Sequence, residues 1–68
     1  MTIRILFRDT ALLPINVTVS KDGWADLSSE TLDVLDLNES GDDYFVAQFE
    51  RECVYGWMIE REMPENAD

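Results

Sequence analysis

The residues that come closest to a defined chemistry are Asp36, Asn38, Ser40 and Gly41, within the stretch DLNESGDDYFVA. Oxygen-bearing side chains at the first, third and fifth places, with glycine at the sixth, suit a loop that wraps a hard divalent cation. The chemistry would be calcium binding. The rest of the loop withholds it, because place nine is Tyr44 and place twelve is Ala47. Without a bidentate carboxylate at the last place, such a site loses both charge and closure.

An EF-hand also needs a helix on each side, whereas YFVAQF alternates as a strand does. The stretch is therefore expected to be a polar turn, with no metal bound. Catalysis lacks its usual groups as well. The chain has no His, and Cys53 sits without a histidine partner in the apolar run CVYGWMI, so it reads as a small buried hydrophobe. Gly23, Gly41 and Gly56 are isolated and make no phosphate loop. The pairs Asp42–Asp43 and Glu50–Glu52 could serve as acid and base only in a sizeable pocket, which so short a chain is not expected to build. No enzyme and no cofactor are expected.

Charge is the dominant feature. Fifteen acids against five bases give a formal net charge of -10 over 68 residues. Such a surface repels nucleic acid and anionic membrane, and it speeds encounter with basic proteins. The acids are also segregated. From Asp22 to Asp43 the charged residues are Asp22, Asp26, Glu30, Asp33, Asp36, Glu39, Asp42 and Asp43, and all five bases lie elsewhere. Solubility is served by mixed charge with less self-repulsion, so an unmixed acidic segment asks for a further reason. On a helix, three- and four-residue spacing sets carboxylates about 5–6 Å apart, comparable with phosphates along a nucleic-acid strand. These eight acids are the candidate contacts to a basic partner protein, with a nucleic-acid-binding protein as one candidate.

A second candidate surface is the segment around Tyr55 and Trp57, with Trp24 and Met63 as companions. Tyr and Trp often anchor interfaces, and an apolar edge strand can pair with its own copy. Homodimerisation through Tyr55 and Trp57 is thus a possible use of that edge, set against service in the core.

The elements that must carry these residues follow from periodicity. TIRILFR alternates and reads as a strand over 2–8. INVTVS and WADL read as strands over 15–20 and 24–27, joined as a hairpin by Lys21-Asp22-Gly23 with Gly23 left-handed. Ser28 or Ser29 followed by Glu30, with Leu32 and Leu35 three apart, favours a short helix over 29–37. Strands follow over 44–50 and 53–61. The first is expected to face Phe45, Ala47 and Phe49 one way, the second Tyr55, Trp57 and Ile59, with a bulge or close approach at Gly56.

One domain over 1–63 with a frayed tail over 64–68 is the expected organisation. Its fold class would be α+β: about five short antiparallel strands, open or partly closed as a barrel, with one short helix. One cysteine excludes an internal disulfide, and neither MTIRILFRD nor CVYGWMI is long and apolar enough for a signal peptide or a membrane span. A soluble cytoplasmic protein is expected. In size and charge the chain is similar to the small acidic proteins that phages and other mobile elements turn against host machinery, anti-CRISPR proteins included. That likeness implies an inhibitor or modulator that occupies a basic surface in the manner of a nucleic acid. The alternative is a structural module that assembles through its apolar edge.

Overall fold

The computed structural model describes residues 1–60; Met63 and the expected frayed segment 64–68 lie outside the described residues. Six strands form: β1 (Thr2–Phe7), β2 (Ile15–Thr18), β3 (Trp24–Leu27), β4 (Thr31–Leu37), β5 (Asp43–Glu50) and β6 (Val54–Glu60). The only helical piece among the described residues is a 3-10 turn, Arg51–Cys53. The fold is all-β, which corrects the α+β expectation. The strands make two three-stranded antiparallel sheets, ordered β2-β1-β6 and β3-β4-β5. Among the described residues no strand pairing joins the sheets, so the expected single sheet or partly closed barrel is replaced by two sheets that share one core cluster.

Alternation explains the core. On the central strands, Ile3 and Ile5 of β1 and Leu32 and Val34 of β4 lose all contact with solvent. With Val17, Val19 and Val54 they form one cluster drawn from both sheets, and Phe7, Ala25, Ala47, Phe49 and Trp57 pack around it. The Phe7 and Phe49 rings meet edge to face across the sheets, 5.9 Å between centroids. Each fully buried aliphatic side chain contributes about 1.5–3 kcal/mol relative to exposure. A chain this short has few of them.

The expected helix over 29–37 is strand β4, and the local signal behind the misreading is visible. The Ser28 hydroxyl does accept from the amides of Glu30 and Thr31, at 3.4 and 3.0 Å, as a helix cap would. Here it closes the β3–β4 hairpin instead, with the Ser28 amide donating to the Thr31 carbonyl at 2.9 Å. Burying Leu32 and Val34 on one face and turning Asp33 outward requires a period of two, and that decides against the helix.

The expected 15–20/24–27 hairpin also needs correction. Both strands exist, but β2 belongs to the first sheet and β3 to the second. The intervening turn, held by the Gly23 amide on the Ser20 carbonyl at 3.1 Å, carries the chain from one layer to the other. Gly23 has no left-handed backbone; the positive φ belongs to Gly41, at 84°. What Gly23 supplies is space, since a Cβ there would lie 2.5 Å from Val19 Cβ and Cγ2.

Two register shifts reassign faces in the last strands. Opposite β4, Val34 pairs with Ala47 but Leu35 pairs with Phe45, so Val46 is an extra residue. Opposite β1, Leu6 pairs with Gly56 and Phe7 with Val54, which makes Tyr55 the extra residue beside Gly56. Phe45 is therefore separated from Ala47 and Phe49, and Tyr55 from Trp57 and Ile59.

Candidate interaction face on the second sheet

All eight candidate acids lie on the second sheet or on the turns that enter it and join its strands. Asp22 is in the β2–β3 connection, Asp26 on β3, Glu30 in the β3–β4 turn, Asp33 and Asp36 on β4, Glu39 and Asp42 in the β4–β5 turn, and Asp43 at the start of β5. The strand register groups them. Leu37 stands opposite Asp43, so Asp22, Glu39, Asp42 and Asp43 share one end of the sheet. Glu30 lies at the other end, where Thr31 stands opposite Glu50. The continuous helical row of carboxylates expected from spacing does not form.

Asp36 leaves the group altogether. It is 5% exposed, on the side of β4 opposite Asp33. Its carboxylate accepts from the Ser20 hydroxyl at 2.6 Å, the Ser20 amide at 2.8 Å and the Leu37 amide at 2.8 Å. The Ser20 hydroxyl, then the Ser20 amide, hold this carboxyl below the usual aspartate value, outweighing burial, which acts the other way; the Leu37 amide and the N-terminal ammonium add to the lowering. Asp36 is a structural latch between β4 and the crossover from the first sheet, and it offers nothing to a partner.

Asp26 and Asp33 are brought together. They stand directly opposite one another on β3 and β4, on the face turned away from the core. The Gln48 amide completes their row by donating to Asp33 Oδ1 at 3.0 Å. Like charges at directly paired positions are destabilising, with Cβ atoms about 4.5–5.5 Å apart. No described base is within ion-pair reach of either: the ion pair among the described residues joins Arg4 and Glu60 of the first sheet, at 3.2 Å.

The next row on this face is apolar, and its composition was not foreseen. Trp24, Leu35 and Phe45 stand side by side on β3, β4 and β5. None of them belongs to the shared core cluster or packs against it. Leu35 is nearly covered, while the Phe45 side chain is 63% exposed. Only the register shift at Val46 turns Phe45 outward, so strict alternation could not have found it. The face thus combines two aromatic residues with a pair of carboxylates that no described base neutralises, two residues further along β3 and β4.

The calcium-like loop uses its oxygens on itself. Asn38 Oδ1 accepts from the Ser40 and Asp42 amides at 2.9 and 3.0 Å, and Gly41 makes the left-handed turn. Asp36, at the loop's first place, is committed to Ser20. Among the described residues no cluster of three or more His, Cys, Asp or Glu is placed to hold a metal ion.

At the Glu30 end, a cleft of about 620 Å³ has mixed lining, with Arg8 and Arg51 beside Glu30, Glu50 and Glu52. Both guanidiniums there are tied to main-chain carbonyls, Arg8 to Val54 at 3.2 Å and Arg51 to Ser28 at 3.0 Å. Cys53, expected to be buried, is exposed in the 3-10 turn, its thiol 3.9 Å from Glu50 Oε2. Of the expected self-association pair, Trp57 packs against the core while Tyr55 is 76% exposed. The register shift gives them different environments.

These features define a small all-β domain of two antiparallel sheets, one of which carries Asp26 and Asp33 on its outer face and Asp22, Glu30, Glu39, Asp42 and Asp43 at its ends. Among the described residues no helix is long and apolar enough to cross a membrane. No known protein family, curated protein or solved structure matches the chain.

Proposed function

We propose that this protein is a binding module, an inhibitor or modulator that lays the outer face of β3-β4-β5 on a basic surface of another protein, of the kind that otherwise holds nucleic acid. The observation that carries this reading is the Asp26–Asp33 pair, two carboxylates at directly paired strand positions with no base of the described residues in ion-pair reach. A pairing that costs stability in the isolated domain is relieved when Lys or Arg from a partner arrives. Trp24 and Phe45, one row away, supply the aromatic surface on which a guanidinium or an apolar side chain rests. Asp22, Glu39, Asp42 and Asp43 at one end and Glu30 at the other extend the negative field and steer the encounter. As a nucleic-acid mimic, the protein uses a central pair with two charged ends rather than a row.

The test pairs the native protein with an Asp26→Lys/Asp33→Lys variant, both immobilised against a nuclease-treated bacterial lysate and eluted first with DNA and then with salt. A basic protein released by DNA from the native form and absent from the variant is the expected result. Equal capture by both forms would overturn the assignment to this face. Asp36, which sequence spacing includes among the contacts, is left out because its reversal would break the latch.

A second reading, assembly of copies through β6, draws on the exposure of Tyr55, Met58 and Ile59 along that edge strand. It predicts a concentration-dependent mass that Tyr55→Ser lowers.

A further inference from the structure

Strand β5 closes the second sheet on one side and pairs only with β4 among the described residues. Its other side is therefore a row of backbone N–H and C=O groups with no described strand beside it. Such edges invite another strand, and proteins ordinarily blunt them with Lys, Pro, shortness or bulges. This edge is eight residues long, DYFVAQFE, with no Lys, Arg, Pro or Gly inside it, and of those devices it carries only the bulge at Val46. Tyr44, Phe45 and Val46 are all exposed on it. The extra residue at Val46 leaves Ala47–Glu50 as the longest regular stretch.

The ends of the strand indicate which occupant fits. Asp42 and Asp43 stand at its start and Glu50 at its finish. If two copies paired β5 with β5 antiparallel over its full length, Asp43 of each copy would stand opposite Glu50 of the other. Like charges directly opposed are destabilising in a sheet, and a net charge of -10 on each copy adds repulsion at longer range. The acids turn away a second copy. The same acids attract a strand that carries Lys or Arg at both ends.

We propose that β5 accepts an extended segment of a partner protein as an added fourth strand of the second sheet, the segment being apolar at alternate positions and basic at both ends. Main-chain hydrogen bonds supply the affinity and the acidic ends supply the selection. The proposal rests on the reading that the partner is basic, and it places the contact on the backbone edge as well as on the outer face.

The probe is a synthetic ten-residue peptide of alternating valine and threonine with two lysines at each end. Two derivatives carry N-methyl groups on one or the other set of alternate amides, and a third has glutamate in place of lysine. Only one set of amides can face β5 in a strand pairing, so one methylated peptide is expected to lose at least about tenfold in affinity while the other changes less than about twofold. The glutamate-ended peptide is expected not to bind, and alternate β5 amides are expected to gain protection from hydrogen exchange. Equal effects from the two methylated peptides would overturn strand addition. If Asp26→Lys then abolished that binding, the outer-face reading would stand. No binding of the lysine-ended peptide, or β5 amides already protected in a dimer of this chain, would also overturn the inference, and the Asp26→Lys/Asp33→Lys capture experiment would still decide the outer-face reading by itself.

Discussion

Ser20 and Asp36 are joined twice, by the serine hydroxyl at 2.6 Å and the serine amide at 2.8 Å, both donating to one carboxylate. Ser20 belongs to the crossover that leaves the first sheet, and Asp36 to the central strand of the second. The neighbouring Val19 amide and carbonyl are tied to Met1, the carbonyl by the N-terminal ammonium at 3.0 Å. The chain start, the crossover and β4 are thus held at one corner. Among the described residues the sheets share no ladder, and a second tie lies at the Arg51–Cys53 turn, where the Arg51 amide donates to the Glu30 carbonyl at 2.9 Å and the Cys53 carbonyl accepts from the Arg8 amide at 3.0 Å.

The corner titrates. Hydrogen bonds from Ser20 lower the folded-state value of Asp36 below its ordinary 3.8, so unfolding is accompanied by proton uptake at acid pH. The stabilisation is fully present above that ordinary value and is lost as pH falls through the lowered one. Asp36→Asn is therefore expected to be less stable than the native protein at pH 7, with the difference shrinking below about pH 4. Urea melts of both proteins at pH 7 and pH 3 measure it, and the comparison cancels the effect of the other acids. A difference unchanged with pH would refute the latch.

Gly23→Ala tests the crossover's packing. The new methyl would meet Val19 at 2.5 Å, and Val19 is buried and branched at Cβ, so it cannot swing aside. A loss of about 1–3 kcal/mol in chemical denaturation is expected. A left-handed glycine would give a loss of similar sign, but Gly23→Asn separates the two: asparagine tolerates left-handed backbone and would still clash here.

Asp26→Lys is expected to move stability and binding in opposite directions. Against Asp33 it replaces repulsion by attraction, a gain of about 0.2–1 kcal/mol in the thermal melt. Capture of a basic partner should fall. Destabilisation by this change would mean that the carboxylate pair makes no repulsive contact in the native sheet.

Tyr55 and Trp57 are expected to separate. Tyr55→Ala should alter stability by no more than about 0.5 kcal/mol, because the extra residue of the register shift stands out in solvent. Trp57→Ala, which strips a ring from the core margin, should cost about 1.5–3 kcal/mol. Equal costs would place both rings on one face, as plain alternation does.

Cys53 is expected to react with a maleimide in the folded protein at a rate close to that in urea, since the thiol is exposed. Strong protection would return it to the core.

Much of the strand content was legible because alternation is a local property. Ile3 and Ile5, Val17 and Val19, and the strand over 24–27 could be read directly from a period of two. The turns were legible too, through Asn38 and Gly41. The stretch over 29–37 was not, because Ser28 offers its hydroxyl to following amides in a helix cap and in a hairpin alike. Of the candidate site, Asp26 and Asp33 were named, but Asp33 on the supposition of a helix over 29–37 that would have grouped it with Asp36 and not paired it with Asp26 on its own strand.

The sequence by itself determined that this is a highly acidic chain, with eight acids and no base from Asp22 to Asp43 and short alternating strands between polar turns. It also determined that Cys53 has no internal disulfide partner. Only the tertiary structure decided that β2 and β3, adjacent in the chain, lie in different sheets, and that Asp36 is a buried latch. It also decided that Phe45 and Tyr55 leave the faces their neighbours occupy. The reason is geometric: a period of two states which residues share a side within one strand. Which strands lie beside it, and where one extra residue reverses the sides, is settled by the packing of both sheets around Ile3, Ile5, Leu32 and Val34.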